Sequence, residues 1–129
     1  MDKGRTLTSE LGAIHIDDEV VTIIAGLAAT KIEGVAGMSG GFAGGIAEAL
    51  GRKNLSKGVK VEVGGQEVTV ELLLVVEYGS RIPDVAWKVQ DNVRKAIETM
   101  TGLTVVNVNI HVQGVSFPQE NDRGGEERV

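Results

Sequence analysis

Gly58-Val-Lys-Val-Glu-Val-Gly-Gly-Gln-Glu-Val-Thr-Val-Glu-Leu-Leu-Leu-Val-Val-Glu-Tyr78 is the stretch that decides the fold. Val59, Val61 and Val63 alternate with Lys60 and Glu62, which is the period-2 pattern of a half-buried strand. Gly64-Gly65 then reads as a two-residue hairpin turn. Pairing Val63 with Gln66 sets Val61 opposite Val68 and Val59 opposite Val70, so the apolar faces of both strands coincide. The second strand continues through Leu72, Leu74, Val76 and Tyr78. Its other face turns apolar at Leu73 and Val75, which marks a central strand covered on both faces at that end.

On the C-terminal side, Pro83 and Asp84 open a helix whose stripe is Ile82, Val85, Ala86, Val89, Val93, Ala96, Ile97 and Met100. Gly102 stops it. A last strand over 104–112 is expected to turn Val106, Val108, Ile110 and Val112 inward. On the N-terminal side, Ala13–Ile16 reads as a short strand and Asp17 as the cap of a helix running to about Ile32. In that helix Val20, Ile23, Ile24, Leu27 and Ala28 form one apolar stripe, and Val21, Ala25, Ala29 and Ile32 form a second. A helix apolar over most of its circumference needs cover on more than one side. A short strand over Val35–Met38 follows. These elements predict an α+β two-layer sandwich, with two helices on one face of a mostly antiparallel sheet, in a ferredoxin-like-related β-α-β-β-β-α-β order. Residues 1–11 read as a flexible arm, 12–118 as a single domain and 119–129 as a disordered acidic tail.

Composition narrows the function. The 129 residues carry a formal net charge of −5 and no cysteine. An acidic chain repels phosphate backbones and anionic lipid, so nucleic acid is an unfavourable partner and direct membrane insertion is not expected. Disulfides, thiol nucleophiles and cysteine metal sites are excluded. The longest apolar run, Val20 to Ala29, is about half a bilayer span. No signal peptide is visible, and the reading is of a cytoplasmic protein.

Few residues suggest chemistry. His15 and His111 are the two histidines. In a ferredoxin-like sheet the first and last strands are neighbours, so they are weak metal candidates, with Glu62 or Glu71, against two exposed histidines of no special role. Gly41-Phe-Ala-Gly44 has the GxxG spacing of a KH-type RNA clamp, with Arg52 and Lys53 nearby. The alternative is a surface loop in a chain with 18 glycines. Trp87 reads as partial core rather than a ligand platform. No nucleophile, base and orienting group can be assembled, so an enzyme is not expected, nor a cofactor. The surplus apolar surface at Val21, Ala25, Ala29, Leu73 and Val75 points to a homo-oligomer or partner interface. The competing reading folds Phe42, Ile46 and Leu50 back over the first helix.

Several segments together resemble one family. They are Gly12-Ala-Ile-His-Ile-Asp-Asp-Glu-Val-Val21, Ile24-Ala-Gly-Leu-Ala-Ala29, Glu33-Gly-Val-Ala-Gly-Met38, Val68-Thr-Val-Glu-Leu72, Val76-Glu-Tyr-Gly79, Ile82-Pro-Asp-Val-Ala86 and Thr101-Gly-Leu-Thr-Val-Val-Asn-Val-Asn-Ile-His-Val112. The chain is similar, over about 11–118, to the alkaline-shock (envelope stress response) family of mainly Gram-positive bacteria. The resemblance implies a non-enzymatic, cytoplasmic stress-response protein that self-associates and reaches the membrane through an integral membrane-protein partner. It brings no catalytic residues with it.

Overall fold

The computed structural model describes residues 5–39 and 57–117. The expected tail over 119–129 and the glycine loop lie outside the described residues. The elements are β1 (Arg5–Ser9), β2 (Gly12–Ile16), α1 (Asp18–Thr30), β3 (Val35–Met38), β4 (Val59–Gly64), β5 (Glu67–Glu77), α2 (Ile82–Thr101) and β6 (Thr104–Ser116).

β5 organises the main sheet. One edge is shared by two antiparallel strands, β4 against Glu67–Leu72 and β3 against Leu74–Val76. The other edge pairs along its whole length with β6, in parallel. Because β6 runs parallel to β5, the connection needs a crossover, and α2 provides it. The two-layer α+β architecture is as the sequence predicts.

The hairpin register differs from the expected one by two residues. Val63 faces Val68, Val61 faces Val70 and Val59 faces Leu72, and the turn is Gly65-Gln66. Gly65 has φ +63°, and among the described residues no non-glycine residue has positive φ. This is the sign pattern of a type II′ turn, with glycine at its first central position. A slip of two keeps every side chain on its face, so the expected faces survive.

The ferredoxin-like neighbouring of first and last strands is absent. β2 pairs with β1 in a separate two-stranded sheet, from Arg5 opposite Ile16 to Ser9 opposite Gly12. Arg5–Ser9, read as part of an arm, supplies the partner through the alternation of Thr6, Leu7 and Thr8. Arg5 Nη1 donates to Gln66 Oε1 at 2.9 Å, tying this hairpin to the β4–β5 turn.

The core lies between the inner face of β5 and the two helices. Val68, Val70, Leu72, Leu74 and Val76 meet Val85, Val89, Val93 and Ile97 of α2, and Val21, Ile24, Ala25, Ala28 and Ala29 of α1. Burying each branched side chain is worth about 1.5–3 kcal/mol. The alanines bring α1 close to its neighbours. α2 ends at Gly102, whose φ of +76° lets its N–H reach Glu98 O at 3.0 Å. Glu98 Oε2 accepts from Val105 N at 2.9 Å, and Thr101 Oγ1 accepts from Leu103 N at 3.1 Å. The turn into β6 thus leaves none of these amides orphaned.

Two bulges shape β6. Val106 is the extra residue between the Val105–Val68 and Asn107–Thr69 pairs, and Gln113 is extra between the Val112–Leu74 and Gly114–Val75 pairs. The first bulge resets the alternation. Val105 is therefore the buried residue, and Val106, expected inside, is exposed. Val108, Ile110 and Val112 do pack against the core.

Candidate functional site: an apolar groove between the helices

α1 is apolar all round, so sequence periodicity cannot choose its inner face. The structure buries Val21, Ala25 and Ala29 completely. These three, expected at an interface, lie in the monomer core. The outward stripe is Val20, Ile23 and Leu27, two of which are more than 40% exposed (Val20 43%, Leu27 42%). Of the other two expected interface residues, Leu73 is half-buried on the sheet face away from the helices. Val75 is buried there, between its ladder partners Gly37 and Gly114.

The exposed stripe of α1 faces Ala96 and Met100 of α2 across an open groove of about 480 Å³, which Lys31 and Asn92 also line. Asn92 Nδ2 donates to Ala28 O at 2.9 Å and so bridges the helices at the groove floor. Met100 is 67% exposed. Met100 sits on the rim because the straight i, i+4 line of α2, Val85 to Val89 to Val93 to Ile97, takes the centre of the core face. That spacing was the one signal that could have placed Met100 outside. Lys31 is the single ionisable group in the lining. The groove can take up an apolar side chain, with a cation at one end, but it has no acid–base pair for catalysis.

The histidines are not brought together. His15 is on β2, with Nδ1 2.7 Å from Thr6 Oγ1 and Nε2 3.3 Å from Asp17 Oδ1. Asp17 thus occupies the cap position of α1 without a side-chain cap bond. His111 is on β6, with Nε2 3.7 Å from Glu71 Oε1. The two belong to different sheets because β2 left the main one. Among the described residues no group of three or more metal-ligating side chains forms. Gly41, Gly44, Arg52 and Lys53, the candidate RNA loop, lie outside the described residues. Trp87 is 61% exposed at the β6 side of α2, not in the core. Among the described residues no helix is long and apolar enough to cross a membrane.

Residues 6–117 match the alkaline shock protein 23 family, described as having a cell envelope-related function. Protein YqhY of Bacillus subtilis is 42% identical over 109 residues, covering 84% of this chain and 81% of that protein. YloU of the same organism is 37% identical over 111 residues, covering 84% and 92%. A Streptococcus pyogenes protein named as a stress response regulator gls24 homolog is 32% identical over 118 residues, covering 90% of this chain and 66% of its own length. With the match spanning both helices and every strand of the main sheet, the chain belongs to the alkaline-shock family of envelope-related, stress-response proteins.

Proposed function

We propose that this chain is a non-enzymatic scaffold or adaptor of the envelope stress response. It self-associates and works beside the cytoplasmic membrane by docking on a membrane-protein partner. The observation that carries the reading is the α1–α2 groove, where Val20, Leu27 and Met100 present apolar surface to solvent beside a single cation. An exposed, contiguous apolar patch on a well-packed domain marks a protein contact. The formal charge of −5 favours a protein partner over an anionic lipid surface.

The test is sedimentation with envelope membranes from a Gram-positive cell, with and without prior protease treatment of the membranes. Wild-type protein co-sediments with untreated membranes only. A Leu27→Glu, Met100→Glu double variant, folded by circular dichroism, stays in the supernatant. Equal binding to protein-free lipid vesicles refutes docking on a protein. Light scattering behind size exclusion, over a concentration series, gives the self-association. A constant mass of one 13.6 kDa chain refutes that half of the reading.

A further inference from the structure

β6 is an edge strand that carries bulges at Val106 and Gln113 but no charged or proline residue to blunt the segment between them. Over its 13 residues, Thr104–Ser116, it contains no Asp, Glu, Lys, Arg or Pro. Edge strands are normally blunted by such residues, because a row of free N–H and C=O groups invites another strand. β5 takes one side of β6, and among the described residues no strand takes the other.

The ladder tells which groups are free. Val108, Ile110 and Val112 are the bridge partners of Val70, Leu72 and Leu74. In a parallel pair, successive residues of a strand turn their backbone groups alternately toward the neighbour and away from it. Leu73 N–H bonds to Gly58 O at 2.8 Å on the β4 side, so Val70, Leu72 and Leu74 turn their backbone groups to β6 and their partners on β6 turn away, while Gln90 Nε2 donates to Val108 O at 3.0 Å. Asn107, Asn109 and His111 therefore bond toward β5, and the backbone groups of Val108, Ile110 and Val112 point off the sheet. The bulges at Val106 and Gln113 bound a regular segment of six residues, 107–112.

That segment is complementary to its own reverse. About a two-fold axis through Ile110, antiparallel pairing sets Ile110 on Ile110, Val108 on Val112, and Asn109 on His111. Apolar residues meet on the helix side and polar ones on the other. Although the chain is acidic, no like charges oppose each other in the ladder. Val108 O has a second lone pair, so the Gln90 bond and a new ladder bond coexist. Trp87 and Gln90 flank Val108–His111 on the helix side, next to the axis.

We propose that β6 pairs antiparallel with β6 of a second copy, in register about Ile110, joining two sheets into one and covering both Trp87 side chains. Such an interface is isologous and closes as a dimer. The bulges end the ladder on either side. The inference rests on the self-association proposed above and assigns its surface.

The chain has no cysteine, so an equimolar mixture of Asn109→Cys and His111→Cys proteins tests the register directly. Those two positions form the non-hydrogen-bonded pair, with Cα atoms about 4.5 Å apart, within disulfide reach. Mild oxidation is expected to crosslink the mixture at least about tenfold faster than either variant alone, an estimate from disulfide reach. Trp87, the single tryptophan, is expected to shift its emission to the blue as wild-type concentration rises. A light-scattering dimer whose mixture crosslinks no faster than the single variants overturns the edge pairing and leaves self-association standing. Wild-type protein that stays monomeric at every concentration overturns both.

Discussion

Val21→Ala, compared with Leu27→Ala, asks which stripe of α1 the fold uses. Val21 is fully buried against the sheet and α2 layer, whereas Leu27 is 42% exposed at the groove. Truncating Val21 removes two methyl groups from a closed site. At about 0.8 kcal/mol per group, transfer alone gives about 1.6 kcal/mol, and the cavity brings the loss to about 2–3 kcal/mol. Truncating Leu27 removes more carbon, but from a site already partly wet and with no cavity to close, and alanine is a better helix former. The expected loss is about 1 kcal/mol or less. Val21→Asp buries an unpaired carboxylate, a change of about 3–5 kcal/mol, on a domain whose total stability is on the order of 5–15 kcal/mol. Added to the lost valine packing, it should put the unfolding free energy at neutral pH well below that of Val21→Ala. The assay is urea unfolding followed by circular dichroism, at a concentration where light scattering reports monomer. An unfolding free energy within about 0.5 kcal/mol of wild type for Val21→Ala, or for Val21→Asp, would refute the assignment and return Val21 to an interface.

Two further outcomes follow from the geometry. Gly34 has φ +103°, and a Cβ there would sit 2.7 Å from Val85 Cγ2 and 3.2 Å from Ser80 Oγ. Gly34→Ala should therefore cost about 2–5 kcal/mol from backbone strain and overpacking. Gly64→Ala, with negative φ and open space, serves as the near-neutral control in the same melt. Asp91 is held below the usual carboxylate pKa chiefly by the Lys95 hydrogen bond, which outweighs the opposing desolvation, with the Lys95 and Arg94 charges adding to the lowering. A carboxylate with a depressed folded pKa contributes stability above its unfolded value, about 3.9, and loses it as pH falls through the folded pKa. Asp91→Asn should thus be less stable than wild type at neutral pH and converge with it in acid. The gap should narrow in high salt, as expected of an exposed helix-surface network. A gap that persists unchanged in acid would rule out that electrostatic origin.

Much of the fold was legible in local pattern. The β4–β5 faces and the α2 stripe depend only on period 2 and period 3.6. Each sets a face without naming its neighbour, which is why the hairpin faces were right even though its register moved by two. The Pro83 start and Gly102 stop of α2 were readable for the same reason, since both act through their own φ angles. The candidate site was not legible. Every turn of α1 offers apolar residues on both sides, so its own sequence scores the Val21-Ala25-Ala29 and Val20-Ile23-Leu27 stripes alike. Only close packing against β4, β5 and α2 selects the alanine side, because small side chains let the helix approach. The displacement of β2 into its own hairpin separated His15 from His111, and the bulge at Val106 exchanged its place with Val105. Those outcomes depend on which backbone edge finds a partner. Strand edges are satisfied across long sequence separations, so side-chain pattern fixes the faces of these elements and tertiary pairing alone fixes their neighbours.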